Sequence, residues 1–237
     1  GNRLKSVMDD FKDIINQVIT AVIIPVLPLY IFGIFLNMTN SGQVAGVMNV
    51  FLKIIVVIFV MTVVLLFIQF FIAVMVGKKN PLRLYRNMLP AYMTALGTQS
   101  SAATIPVTLE QTIRNGVRPD LAGFVIPLCA TIHLSGSTMK IVACSMAIML
   151  MSGMEINFAQ FAGFIMMLGI AMVAAPGVPG GAIMAALGLL QSMLGFDETA
   201  QGLMIALYIA MDSFGTATNV TGDGAIAVIV DRINSGK

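Results

Sequence analysis

Two short stretches interrupt apolar sequence where an uninterrupted membrane helix would have no break. They are Gly97-Thr98-Gln99-Ser100-Ser101-Ala102-Ala103-Thr104-Ile105-Pro106 and Ala174-Ala175-Pro176-Gly177-Val178-Pro179-Gly180-Gly181. One is polar, the other rich in Gly and Pro, and apolar helix-like sequence flanks both. In lipid, backbone without helical partners survives only where protein buries it or where it lines a polar cavity. Two such breaks in one chain predict a ligand site near the bilayer midplane. The lipid premise follows from composition. Only 10% of residues are charged and 58% are hydrophobic, with a mean hydropathy of +0.93, whereas soluble domains carry roughly 25% charged residues. The chain is therefore read as an all-α integral membrane protein.

Composition also limits partners. The net charge of +2 comes from basic residues in short loops between apolar segments, so nucleic acid is not an expected partner, and lipid is. Cys129 and Cys144 lie in apolar segments and imply no disulfide framework. The 19 methionines fit flexible packing in a membrane interior. The chain opens on Gly1 without a basic-then-apolar leader, and the expectation is a piece of a longer protein.

Charge along the chain sets topology. Apolar spans are predicted over 14–36, 54–76, 121–151 and 200–230, with a polar loop at 37–46. Residues 87–113 are flanked by basic residues at both ends: Lys78, Lys79, Arg83 and Arg86 before, Arg114 and Arg118 after. The positive-inside rule puts both ends in the cytoplasm, so the segment enters and returns around its polar tip. Residues 158–196 run uncharged from Glu155 to Asp197-Glu198 and read as a second hairpin, entered from outside. A rival count makes each hairpin arm a full span, but 87–97 is shorter than the ~20 residues a crossing needs. The expected fold is transmembrane helices with two oppositely inserted re-entrant hairpins, an inverted repeat. It is multi-pass, in the plasma (inner) membrane, with a cytoplasmic C-terminus.

Intramembrane ionisable groups are costly and usually functional. The candidates are His133, Lys140, Asp212 and Asp223. Ser135, Gly136, Ser137 and Thr138 beside His133 predict local unwinding in mid-span. Asp212, Thr216, Asn219 and Asp223 follow i, i+4, i+7, i+11 and form one polar stripe on a helix. Such a stripe can hold a polar solute at one end and a cation at the other. Thr138 and Thr218 are read as bonding their own backbone. Asn219 is either a ligand or glue between helices. His133 is either a ligand or a satisfied packing group. Lys140 either pairs with a carboxylate or reaches a water-filled cavity. Neither a nucleophile–base pair nor metal-ligand spacing is present, so no enzyme and no organic cofactor are expected.

The serine-rich tip, the Gly-Val-Pro-Gly tip and the closing Asn219-Val220-Thr221-Gly222-Asp223 together resemble the dicarboxylate/amino acid:cation symporter family, whose members include glutamate and aspartate transporters. The resemblance runs along the whole chain and covers the family's C-terminal half. It implies a homotrimer that carries substrate by an elevator motion, with residues 1–46 scaffold-like and 47–237 forming the transport domain. The second hairpin would be the extracellular gate. By position, the resemblance assigns substrate contact to Ser101, Ser137, Val178, Asp212, Gly215, Thr216 and Asn219, with Asp212 holding the substrate amino group. It assigns cation coupling to Thr131, His133, Ser135, Asn219 and Asp223, with sodium at Asn219 and Asp223.

The departures from the family pattern carry as much information. Acidic-substrate members have an arginine where Gly215 stands, and a second arginine position is Gln99. With neither, nothing obvious pairs with a second carboxylate. The expectation is a symporter of neutral amino acids with extra room beside Gly215. The alternatives are an acidic amino acid or dicarboxylate symporter, and a non-transporting channel or receptor. On the cation side, His133 replaces an asparagine and Ser135 an aspartate, while Met172 and Ala175 replace a serine and a threonine. Sodium prefers oxygen ligands, and a histidine can carry a proton near neutral pH. Coupling to Na+, H+ or both is expected, with Lys140 a possible fixed charge in place of one sodium ion.

Overall fold

The computed structural model describes residues 24–40 and 44–235, together with scattered positions between 6 and 22. The described residues form ten helices in chain order: α1 Ile24–Asn40, α2 Val44–Gly77, α3 Pro81–Thr98, α4 Ser101–Arg114, α5 Pro119–Ile132, α6 Ser135–Met151, α7 Phe158–Met172, α8 Gly181–Leu194, α9 Glu198–Ala210 and α10 Asp212–Ser235. The expected span 14–36 lies partly outside the described residues. The polar loop expected at 37–46 shrinks, because α1 continues to Asn40 and α2 already begins at Val44. Uncharged polar residues at a helix end do not stop a helix. The expected domain boundary at 46/47 accordingly falls inside α2.

Among the described residues, two stretches are long and apolar enough to cross a bilayer: Met48–Gly77, and Pro119–Met151 taken across its break. The pair α9 and α10 makes a third if counted as one span, and it bends by 60°. The expected straight span 200–230 is therefore corrected to a broken one. The break sits at Met211, and Asp212, a residue suited to a helix start, opens the next helix.

Both hairpins form as pairs of helices; the first tip is shorter than the sequence indicated, and the second keeps its expected length. In the first, α3 and α4 join through Gln99 and Ser100 alone, and Ser101 to Pro106 is already helical. Gln99 takes the left-handed conformation (φ 51°) that ends α3. Ser100 caps α4 by accepting the Ala103 N–H at 3.2 Å. The open end is tied by Asn115, which donates to the Leu84 carbonyl and accepts from Asn87. Lys79 donates to the carbonyls of Asn115 and Gly116. Burial lowers the Lys79 pKa, and the nearby Asp231 charge opposes that shift. In the second hairpin, α7 and α8 flank a tip over 173–180, and Gln160 donates to the Met193 carbonyl at the open end.

Between helices in lipid, close packing and hydrogen bonds matter more than removal of apolar surface from water. One buried cluster joins α6, α7, α8 and α9 around Ile141, Phe164, Leu168, Leu190 and Met204. A second joins α2, α3, α5 and α10 around Phe70, Met88, Ile126 and Val220. Small residues such as Ala73, Ala91 and Ala95 are fully buried and let backbones approach. On α2, Leu52, Val56, Phe59, Val63, Phe67 and Phe71 form an exposed apolar stripe.

Two helices, α6 and α10, approach closely at Gly136. A Cβ there would lie 2.7 Å from the Gly215 carbonyl oxygen and 2.7 Å from Thr218 Cβ. Backbone cannot yield as a flexible side chain can. Gly136→Ala should lower stability by about 1–3 kcal/mol, the usual cost of overpacking. Gly169→Ala in α7, where nothing lies within 4 Å, should be neutral or stabilise by up to about 1 kcal/mol. Thermal unfolding in detergent checks both.

Candidate functional site

Four helix breaks meet at one place: Gln99–Ser100, His133–Leu134, the tip at 173–180, and Met211. The Ser100 hydroxyl donates to the Gly177 carbonyl at 2.7 Å, so the two hairpin tips touch. A Cβ on Gly177 would lie 3.3 Å from the Ala130 carbonyl, which puts the tip against the end of α5. Gln99 donates to the Ser213 hydroxyl at 2.8 Å, joining the first tip to the start of α10.

A small cavity lies at this junction, about 10 Å³ in volume, room for about one water. Its walls include Gln99, Ser101, Ser137, Val178, Asp212, Thr216 and Asn219, with Tyr208 as a further wall. Six of the seven residues expected to contact substrate therefore share one cavity. Ser101, Ser137, Ala182 and Asp212 come from the first turns of four different helices. Helix N-termini carry partial positive charge and free N–H groups, a setting that favours a carboxylate.

Asp212 is the hub. Its Oδ1 accepts the Lys140 ammonium at 3.1 Å, and its Oδ2 accepts the Gly180 N–H at 2.8 Å. Both side chains are buried, Lys140 completely. The Lys140 ammonium also donates to the Met211 carbonyl at 3.2 Å and lies 3.6 Å from the centre of the Tyr208 ring. Of the two readings for Lys140, the structure has the carboxylate pair. This corrects the expectation of extra room beside Gly215. A Cβ at Gly215 would lie 2.8 Å from the Lys140 nitrogen, so the lysine already fills that space.

Asn219 acts across helices. Its Oδ1 accepts the Gly136 N–H at 2.8 Å and the Ser137 N–H at 3.4 Å, and its amide donates to Ser137 Oγ at 3.0 Å. The start of α6 has no side-chain cap of its own; a residue of α10 supplies one. Asn219 is thus helix glue and a cavity wall together. The expected backbone bonding of the threonines is present: Thr138 donates to Leu134 and Thr218 to Phe214.

The far end of the stripe is a separate cluster. His133 Nδ1 and Asp223 Oδ1 are 2.7 Å apart, and Gln69 Nε2 lies 3.2 Å from His133 Nε2. Gln69 also donates to Ser135 Oγ at 3.1 Å. Both ring nitrogens of His133 thus have a polar neighbour, Asp223 at Nδ1 and the Gln69 amide at Nε2. Thr131 stands apart. It is exposed, its hydroxyl bonds Leu128, and it joins neither cluster. One oxygen of each residue assigned to sodium has a partner within the protein: Asp223 Oδ1 faces His133, and Asn219 Oδ1 accepts backbone N–H groups. Among the described residues, no three His, Cys, Asp or Glu side chains cluster.

Sequence reasoning missed Gln69, Gly180, Tyr208 and Met211. Gln69 had a signal, as a lone amide within the apolar run Phe67-Ile68-Gln69-Phe70-Phe71. The other three act through backbone or ring face and leave none.

Breaking a buried ion pair from one side strands a charge, which costs about 3–5 kcal/mol. Lys140→Met and Asp212→Asn should each destabilise by that amount. The double substitution should cost less than either alone, because it strands nothing. A double-mutant cycle of unfolding in detergent measures this.

The model of the sodium:dicarboxylate symporter family matches residues 1–233. Excitatory amino acid transporter 1 of Rattus norvegicus is 30% identical over 242 residues, covering 99% of this chain and 43% of that protein. Its Homo sapiens counterpart is 29% identical over 241 residues, with the same coverage. An excitatory amino acid transporter of Caenorhabditis elegans is 32% identical over 154 residues, covering 65% of this chain and 30% of that protein. The chain thus spans less than half the length of these relatives. With a family match along nearly its whole length, the chain belongs to the sodium:dicarboxylate symporter family.

Proposed function

We propose that this chain is the substrate-binding part of a secondary active symporter for amino acids, neutral ones first, coupled to Na+, H+ or both. The observation that carries this reading is the cavity at the four helix breaks. It offers a carboxylate the first turns of α4, α6 and α8, and an ammonium the Asp212 carboxylate at the start of α10, the two poles of an amino acid. Ser101 and Ser137 would hold the carboxylate, with Thr216 and Asn219 beside them and Val178 at the gate tip.

The hairpins would be re-entrant from opposite faces, and α2 to α10 would move as a transport domain by an elevator motion against a scaffold that includes α1, in a homotrimer. The short hairpin helices support re-entry, since α4, α7 and α8 have 14, 15 and 14 residues against the ~20 of a crossing. Sodium coupling is supported by the family. Proton coupling is supported by the His133–Asp223–Gln69 cluster. The Gln69 Oε1 atom is buried without a partner, and turning that amide over would present it to a second N–H of a protonated His133. The cluster can satisfy the imidazole in either state.

A second reading, symport of acidic amino acids or dicarboxylates, draws on one observation. The Lys140 ammonium lies where a side chain at 215 would begin, so the site does hold a cation for a second carboxylate. Uptake by the full-length native chain in proteoliposomes, with sodium and pH gradients imposed separately, tests these readings. Concentrative uptake of alanine, serine or threonine is expected, with His133→Gln losing any drive from the pH gradient. Aspartate uptake without competition by neutral amino acids would instead establish the second reading. Saturable binding without accumulation would mark a channel or receptor and overturn both.

A further inference from the structure

Lys140 carries an inference that deepens, and rests on, the transport reading above. Asp212 is the group that would take a substrate ammonium, and an ammonium is already on it. Each N–H of Lys140 has a destination: Asp212 Oδ1, the Met211 carbonyl and the face of Tyr208. The other Asp212 oxygen is on the Gly180 N–H. The cavity's carboxylate therefore lacks nothing before substrate arrives.

We propose that the Lys140 ammonium is a tethered stand-in for the substrate ammonium, so that the site accepts only solutes carrying both an ammonium and a carboxylate. The argument is one of charge pairing in a buried place. An incoming ammonium reaches Asp212 by displacing Lys140. The displaced lysine is fully buried, and a buried cation without an anion is strongly disfavoured. A carboxylate on the same solute gives it a partner, and every charge stays paired. An amine without a carboxylate leaves Lys140 stranded. A carboxylate without an amine finds Lys140 still held by Asp212. The exchange is short in distance: Ser137 Oγ, a cavity wall, is 3.6 Å from the point where a Gly215 side chain would start, and the Lys140 nitrogen is 2.8 Å from that point. Gly215 makes the device possible, since any side chain there would occupy the position of the ammonium.

The test is ligand binding to the full-length native protein in detergent or nanodiscs, read by calorimetry and thermal shift. The probes are alanine, alaninamide (amine only) and propionate (carboxylate only). Wild type should bind alanine and neither fragment. Lys140→Met should bind alaninamide, narrowing its gap to alanine by about tenfold or more, the scale of one charge-assisted hydrogen bond. Lys140→Met/Asp212→Asn, which leaves no buried charge unpaired, guards against misfolding of the single variant. It should lose the requirement for an amine and bind propionate and alanine within about tenfold of each other. If wild type binds alanine and both variants discriminate among the probes as it does, the transport reading stands and the role of Lys140 falls. If wild type binds neither alanine nor any other amino acid, the transport reading falls and takes the exchange with it.

Discussion

Every broken helix in a membrane leaves backbone groups that lipid cannot satisfy, and here side chains of neighbouring segments satisfy several of them. Asn219 of α10 takes the first N–H groups of α6. Asp212, at the start of α10, takes the Gly180 N–H that precedes α8. Ser100, at the turn before α4, donates to the Gly177 carbonyl in the second tip. Lys140 of α6 donates to the Met211 carbonyl where α9 ends. The interruptions therefore stand or fall as a group. Isolated, each would expose unpaired N–H or C=O groups at a cost of several kcal/mol. Gathered, they bury one another and leave a polar cavity between them. The site is thus a by-product of how the chain meets its own backbone demands.

Much of this was legible in the sequence, for a physical reason. Gly, Pro and Ser within apolar runs have few uses in lipid, so both hairpins and the break near His133 announce themselves. The stripe from Asp212 to Asp223 was legible because a carboxylate in a membrane must face protein, and all four of its members are buried. Boundaries were less legible. The first tip is two residues rather than ten, because Ser101, Ala102 and Ala103 are polar or small but still helical once Ser100 caps them. The bend at Met211 was hidden, since nothing in Ala210-Met211 signals a break. The partner of Lys140 was hidden as well. Two helices 72 residues apart meet there, and no local pattern reports such a meeting.

Gly215 and His133, two positions that depart from the pattern the chain resembles, each sit in a filled local network. Gly215 removes a side chain, and Lys140 from a neighbouring helix enters the gap. His133 replaces an amide, and its imidazole lies against Asp223 with Gln69 behind it. In both places a residue that looks anomalous alone is part of a satisfied local network. Substituting one member while keeping the rest would leave a buried polar atom or charge without a partner, which is why such sites tend to be all or nothing.

The contact between Gly215 and Lys140 also sets how many cations the pocket can carry beside Asp212. A side chain at 215 would start 2.8 Å from the Lys140 nitrogen and push the lysine tip off that carboxylate. A single carboxylate then has one ammonium at a time, and the smallest residue in the chain keeps that place for the lysine.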